Sequence, residues 1–218
     1  MRPQRLRPQL KRDPLDVAPP PILLSVLTQS SQVKARTVLV IHGAGEPRRR
    51  GSKVYWEPML QKDLRPEFRV RAPRMPQPDD PEYRRWARRI EQLIAGTARP
   101  VLVGHSFGAS VLLKYLAETT PRPPLAGVFL IATPFWGPDF PEFALPPDFG
   151  ARLRDVSPLC MYHTRDDGEV PLDHLERYRR SLPQVFVRVL DGRGHEFNQA
   201  HFPELVADIR QLAVERAV

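Results

Sequence analysis

Cysteine is nearly absent: the chain has one, Cys160, in 218 residues. A lone thiol excludes an intramolecular disulfide framework and a cysteine-rich zinc site, and it suits a reducing cytoplasm, the expected location. Long apolar runs are missing as well. Stretches such as Val38-Leu39-Val40-Ile41 fall far short of the roughly 18–20 residues that cross a bilayer, so no membrane role is expected. Lysine is scarce, at 5 residues against 28 arginines, a bias closer to genome composition than to selection for phosphates. The net charge of +8 is unevenly spread: residues 1–36 carry an excess of five positive charges and all the rest only three. Nucleic acid is therefore not an expected partner.

Proline, in contrast, is abundant, and six of the 26 fall within the first 21 residues. Proline fixes φ and removes a donor. Residues 1–36 therefore read as a basic, disordered leader, and 37–218 as one domain long enough to bury a core. A signal peptide does not fit, because the apolar run at 22–27 is short, follows a polar proline-rich stretch and lacks a small-residue cleavage site.

Beyond Thr37, short β-branched runs alternate with helical periods. Strands are predicted at 38–41, 68–71, 101–103, 128–132, 159–162 and 185–189, and helices at 53–64, 82–95, 107–118, 172–182 and 203–215. The second helix shows its period plainly, with Trp86, Ile90, Leu93 and Ile94 on one face and arginines mostly off it. Short apolar strands, each followed by a helix, predict a doubly wound α/β sheet of about six parallel strands covered on both faces. Ligands of such sheets bind beyond the carboxyl ends of the strands.

The loop after the third strand reads Gly104-His105-Ser106-Phe107-Gly108. This G-x-S-x-G pattern, placed between a strand and a helix, forces the serine into a strained turn that exposes its hydroxyl. Chance would produce the pattern about 0.02 times in such a chain. Ser106 is the expected nucleophile. A serine needs a base, and the base an orienting acid, in the chain order Ser, Asp/Glu, His. The loop after the fifth strand offers Asp166 and Asp167, and the loop after the sixth offers His195 as base. Donors for an oxyanion are expected from the N–H of Phe107 and from Ile41-His42-Gly43-Ala44-Gly45, with Ala44 N–H preferred. No metal or organic cofactor is needed. Tyr55, Trp56, Phe107, Phe135 and Trp136 read equally as walls of an acyl pocket or as core.

The chain resembles small α/β-hydrolase-fold serine hydrolases of the retinoblastoma-binding protein 9/YdeN type over about residues 37–215. The resemblance rests on His42-Gly43-Ala44-Gly45, Tyr55-Trp56, Met75-Pro76-Gln77-Pro78-Asp79-Asp80-Pro81 leading to Trp86, the elbow, Ile131-Ala132-Thr133-Pro134-Phe135-Trp136 and the two partner loops. It implies a Ser106–Asp167–His195 triad acting on a small-molecule acyl substrate. Asp167 stands in an Asp-x-x-Val-Pro arrangement that the resemblance pairs with the acid. Asp166 is then expected to face solvent or pair with an arginine, and to be dispensable. The five prolines between 134 and 147 leave room for only a minimal cap, so small acyl groups are expected. The rival readings are an acyltransferase using the same residues and a catalytically dormant protein-binding relative. Oligomeric state and substrate are not legible in the sequence.

Overall fold

The computed structural model describes residues 35–45, 56–197 and 201–214. The leader up to residue 34 and Tyr55 lie outside the described residues. The strands are β1 (Arg36–Ile41), β2 (Phe68–Arg71), β3 (Val101–His105), β4 (Gly127–Ile131), β5 (Leu159–Thr164) and β6 (Phe186–Leu190). The helices are α1 (Trp56–Asp63), α2 (Tyr83–Ala95), α3 (Phe107–Glu118), α4 (Phe149–Arg152), α5 (Asp173–Ser181) and α6 (Pro203–Val214). All six strands pair in parallel, in the order β2-β1-β3-β4-β5-β6.

The central strands are apolar on both faces, so each face needs a cover. Alternation divides their side chains between two cores. Leu39, Leu102, Leu130 and Met161 pack with α2, α3, α4 and α5 on one side. Val38, Val103, Ile131 and Tyr162 pack with α1 and α6 on the other. Helix α3 contributes buried residues all round, as expected of the helix at the centre of its layer. The edge strand β6 is tied to α6 by a bidentate Arg188–Asp208 pair, with Tyr162 Oη donating to the same carboxylate.

Chain direction across the sheet reverses between β1 and β3, which lie side by side with Ile41 opposite Gly104. Helix α1 then leaves on one face and α3 on the other. That opens a crevice at the strands' carboxyl ends, where a doubly wound sheet holds its ligands. The expected strands and helices are all present, with small boundary shifts. β1 begins at Arg36, the last residue assigned to the leader, and β3 runs on through His105. The short α4 was not anticipated, because the proline-rich stretch before it hides any helical period. Among the described residues no helix is long and apolar enough to cross a membrane.

Candidate active site

One residue separates β3 from α3, and it is Ser106. Its backbone sits at φ 51°, ψ −126°, a region that side-chain-bearing residues rarely occupy. The turn is fixed from both sides. Ser106 N–H donates to the Ile131 carbonyl at 2.8 Å, and its own carbonyl accepts from Ala109 and Ser110. The bracketing glycines are there for space. A Cβ at Gly104 would lie 2.6 Å from Ala109 Cα, and one at Gly108 would lie 2.1 Å from the His42 carbonyl oxygen. Backbone atoms cannot yield as side chains do. Gly108→Ala should therefore destabilise the protein by about 1–3 kcal/mol or more. Gly137→Ala, where a Cβ meets nothing within 4 Å, should change little. Urea unfolding of both variants checks the contrast.

Ser106 Oγ lies 2.9 Å from His195 Nε2. On the other side of the ring, Nδ1 lies 3.1 and 3.0 Å from the two Asp167 oxygens. The Asp167 side chain is fully buried, and that of His195 is 6% exposed. Burial opposes the Asp167 charge. The N–H groups of Val170 and Glu169, at 2.8 and 2.9 Å, and the His195 ring outweigh it and hold the carboxyl below its ordinary range. Because Asp167 is acceptor-only when ionised, the neutral His195 ring carries its proton on Nδ1 and turns the Nε2 lone pair to Ser106.

Two more histidines brace this arrangement. Burial lowers the pKa of His105 to about 4, which keeps it neutral. Its Nε2–H donates to the His195 carbonyl at 3.0 Å. Met75 N–H donates to His42 Nε2 at 3.4 Å, so His42 Nδ1–H is the donor to the Gly43 carbonyl at 2.6 Å. Gly45 N–H is taken by the Pro78 carbonyl at 2.7 Å. The loop is thus pinned on both sides of Ala44. Phe107 is the first residue of α3, where the helix itself supplies no acceptor for the N–H.

The profile of the alpha/beta hydrolase family matches residues 38–159, from β1 to the first residue of β5. The chain belongs to the alpha/beta hydrolase family. The fold is shared with solved structures of low identity. YdeN from B. subtilis superposes with a TM-score of 0.67 at 18% identity, over 83% of this chain and 100% of that one. A putative YdeN-like hydrolase from Pectobacterium atrosepticum gives 0.62 at 15% identity, over 88% and 96%. A 2-hydroxy-6-oxo-6-phenylhexa-2,4-dienoate hydrolase from a Rhodococcus species gives 0.62 at 18%, over 83% and 91%. No curated protein sequence matches the chain.

The aromatic candidates of this alpha/beta hydrolase divide. Trp56 is 1% exposed and packs with Phe202 and the ring of His105, so it is core rather than an open pocket wall. Phe107 touches Trp86, Trp136 and Phe143 in edge-on contacts. Trp136 Nε1–H donates to Ser110 Oγ on α3, and Phe135 packs against Tyr178. Both residues are half-buried. At the mouth, the exposed Glu169 brings a carboxylate oxygen 3.6 Å from His195 Nε2. Glu169, His195 and Glu196 each offer a ligand atom within 4.8 Å of the others. Both His195 nitrogens are already engaged by Ser106 and Asp167, so these carboxylates form an acidic rim to the serine site. A cleft of about 820 Å³ beside α2, lined by Arg74, Gln77, Arg85 and Arg88 among others, contains none of these residues.

Asp166 is exposed, as expected, and forms no ion pair with an arginine among the described residues, but it is not a bare surface carboxylate. Its oxygens accept N–H groups of Gly192 and Arg193, at 3.0 and 3.3 Å, and of Gly194 at 2.9 Å. Arg165 pairs instead with Asp191. An exposed ion pair gains little in water, whereas three amides converging from one turn offer a carboxylate charge-assisted bonds. The bracing roles of His42, His105 and Asp166 had no signal in the sequence, since each depends on a backbone partner remote along the chain.

Proposed function

We propose that this chain is a serine hydrolase that cleaves a small ester, thioester or activated amide through an acyl-enzyme on Ser106. The observation that carries this reading is the unbroken series Ser106 Oγ, His195 and Asp167, with contacts of 2.9 to 3.1 Å, on a strained strand-to-helix turn. His195 Nε2 takes the Ser106 proton as Oγ attacks the carbonyl carbon, and the N–H groups of Phe107 and Ala44 receive the oxyanion. The protonated ring then gives its proton to the leaving group, leaving an ester on Ser106. Water, deprotonated by the same nitrogen, attacks that ester, and the ring returns the proton to the departing Ser106 Oγ as the acid is released. Asp167 holds the ring tautomer throughout. The lone Cys160, buried and with its thiol pushed up to about 12, takes no part and suits a reducing cytoplasm.

The stretch between β4 and β5 supports a small acyl group. It holds one four-residue helix, and polar groups of α2 and α3 fasten it down. Lys114 Nζ donates to the Ala144 carbonyl, Tyr83 N–H to Glu142, and Trp136 to Ser110. A fluorophosphonate probe should label Ser106, and nitrophenyl esters should be turned over fastest with short acyl chains. Absence of labelling in the folded protein would favour a dormant binding role. A rate maximum at long chains would contradict the small-acyl assignment. Product analysis in the presence of an alcohol or amine separates hydrolysis from transfer.

A further inference from the structure

We infer that Asp166 is a positioning residue for the base: its carboxylate clamps the backbone of the turn that carries His195, while Asp167 orients the ring. This deepens the serine-hydrolase reading and rests on it. The turn after β6 contains Gly192 and Gly194, both at positive φ, 69° and 58°. Glycine supplies that geometry but adds no rigidity, because it has the most backbone freedom to lose. Something outside the turn must hold it.

Asp166 does so with both oxygens. Oδ1 accepts the N–H groups of Gly192 and Arg193, and Oδ2 accepts that of Gly194, at 3.0, 3.3 and 2.9 Å. Three successive amides meeting one anion form a concave nest, and bonds of this kind are roughly twice as strong as neutral ones. The remaining fastenings fall on either side. Thr164 Oγ–H donates to the Gly194 carbonyl at 3.2 Å, and His105 donates to the His195 carbonyl. Arg193 reaches Glu204 on α6 with two bonds of 2.7 and 2.9 Å. Asp166 touches none of the reacting atoms. Its influence passes through where His195 Nε2 stands relative to Ser106 Oγ, and a misplacement of about 1 Å there can cost about 100-fold.

The test compares Asp166→Ala and Asp166→Asn with the wild type. Asn keeps an acceptor for Gly192 and Arg193 but turns an NH₂ toward Gly194 N–H, so its effects should fall between those of Ala and wild type. Amide exchange at Gly192, Arg193 and Gly194 should rise from wild type through Asp166→Asn to Asp166→Ala, and the Nδ1 proton resonance of His195 should move. Turnover of a short-chain ester should fall about 10- to 100-fold in Asp166→Ala with KM nearly unchanged. The apparent pKa of the base in the pH–rate profile should shift as well. The exchange and proton measurements need no turnover, so they decide the clamp even if the wild type proves inactive, an outcome that would count against the hydrolase reading alone. Unchanged exchange at the three amides with an unmoved Nδ1 resonance, in either folded variant, overturns the inference. So does a fall in melting temperature with kcat, pH profile and resonance all at wild-type values.

Discussion

Ser106→Ala is expected to lower kcat by a factor on the order of a million and to abolish fluorophosphonate labelling, with the fold retained. His195→Ala should cost nearly as much, and the double variant no more than either alone, because nucleophile and base act as one unit. Ester hydrolysis measured in all three variants tests this; residual turnover well above trace in Ser106→Ala would remove Ser106 from the nucleophile role. The strained backbone at φ 51° adds a second readout. Ser106→Gly should be equally inactive yet more stable, by about 1 kcal/mol or more, since glycine occupies that conformation without a clashing Cβ. A chain that gains stability by losing its central hydroxyl holds strain there for chemistry.

Asp167→Asn should cut kcat by about 10⁴-fold while KM changes little, because an amide at that position favours the imidazole tautomer with the proton on the wrong nitrogen. The ranking against Asp166→Asn is diagnostic: the larger loss belongs to the residue that faces the ring. Stability should respond to pH with a definite sign. The folded Asp167 carboxyl sits below its ordinary value, so ionisation favours folding above the unfolded pKa of about 3.9. That contribution is lost as pH falls through the folded pKa. Melting temperatures of wild type and Asp167→Asn should therefore differ most above about pH 4 and converge in stronger acid. A gap that widened in acid would contradict the assignment.

The elements that the sequence made legible are those with a local cause. The Trp86-Ile90-Leu93-Ile94 period marks α2, and the glycines around Ser106 mark the turn, because both signals lie within a few residues of what they specify. Ser106 and His195 were readable by their order in the chain, each falling just past a strand end, whereas order alone left Asp166 and Asp167 open and the preference for Asp167 came from the family resemblance. What stayed hidden depends on tertiary partners. Asp166 looked like a spare surface carboxylate because its acceptors' donors lie 26 to 28 residues away, across β6. Trp56 looked like a candidate wall, although Phe202, just ahead of α6, and the ring of His105 pack against it and bury it. The 820 Å³ cleft beside α2 forms only once the loop at 74–80 folds back along that helix.

The aromatic surround of the elbow has an optical consequence. All three tryptophans of the chain touch a ring at or beside the serine turn: Trp86 meets His42 and Phe107, Trp56 meets His105, and Trp136 meets Phe107. Trp86 and Trp56 are enclosed, while Trp136 is partly open to solvent. Indole emission shifts with local polarity and is quenched by a neighbouring imidazolium. Intrinsic fluorescence of the unlabelled protein is therefore a direct gauge of events at Ser106, in which acylation, acid titration of His105 and solvent entry past Trp136 would each leave a separate spectral trace.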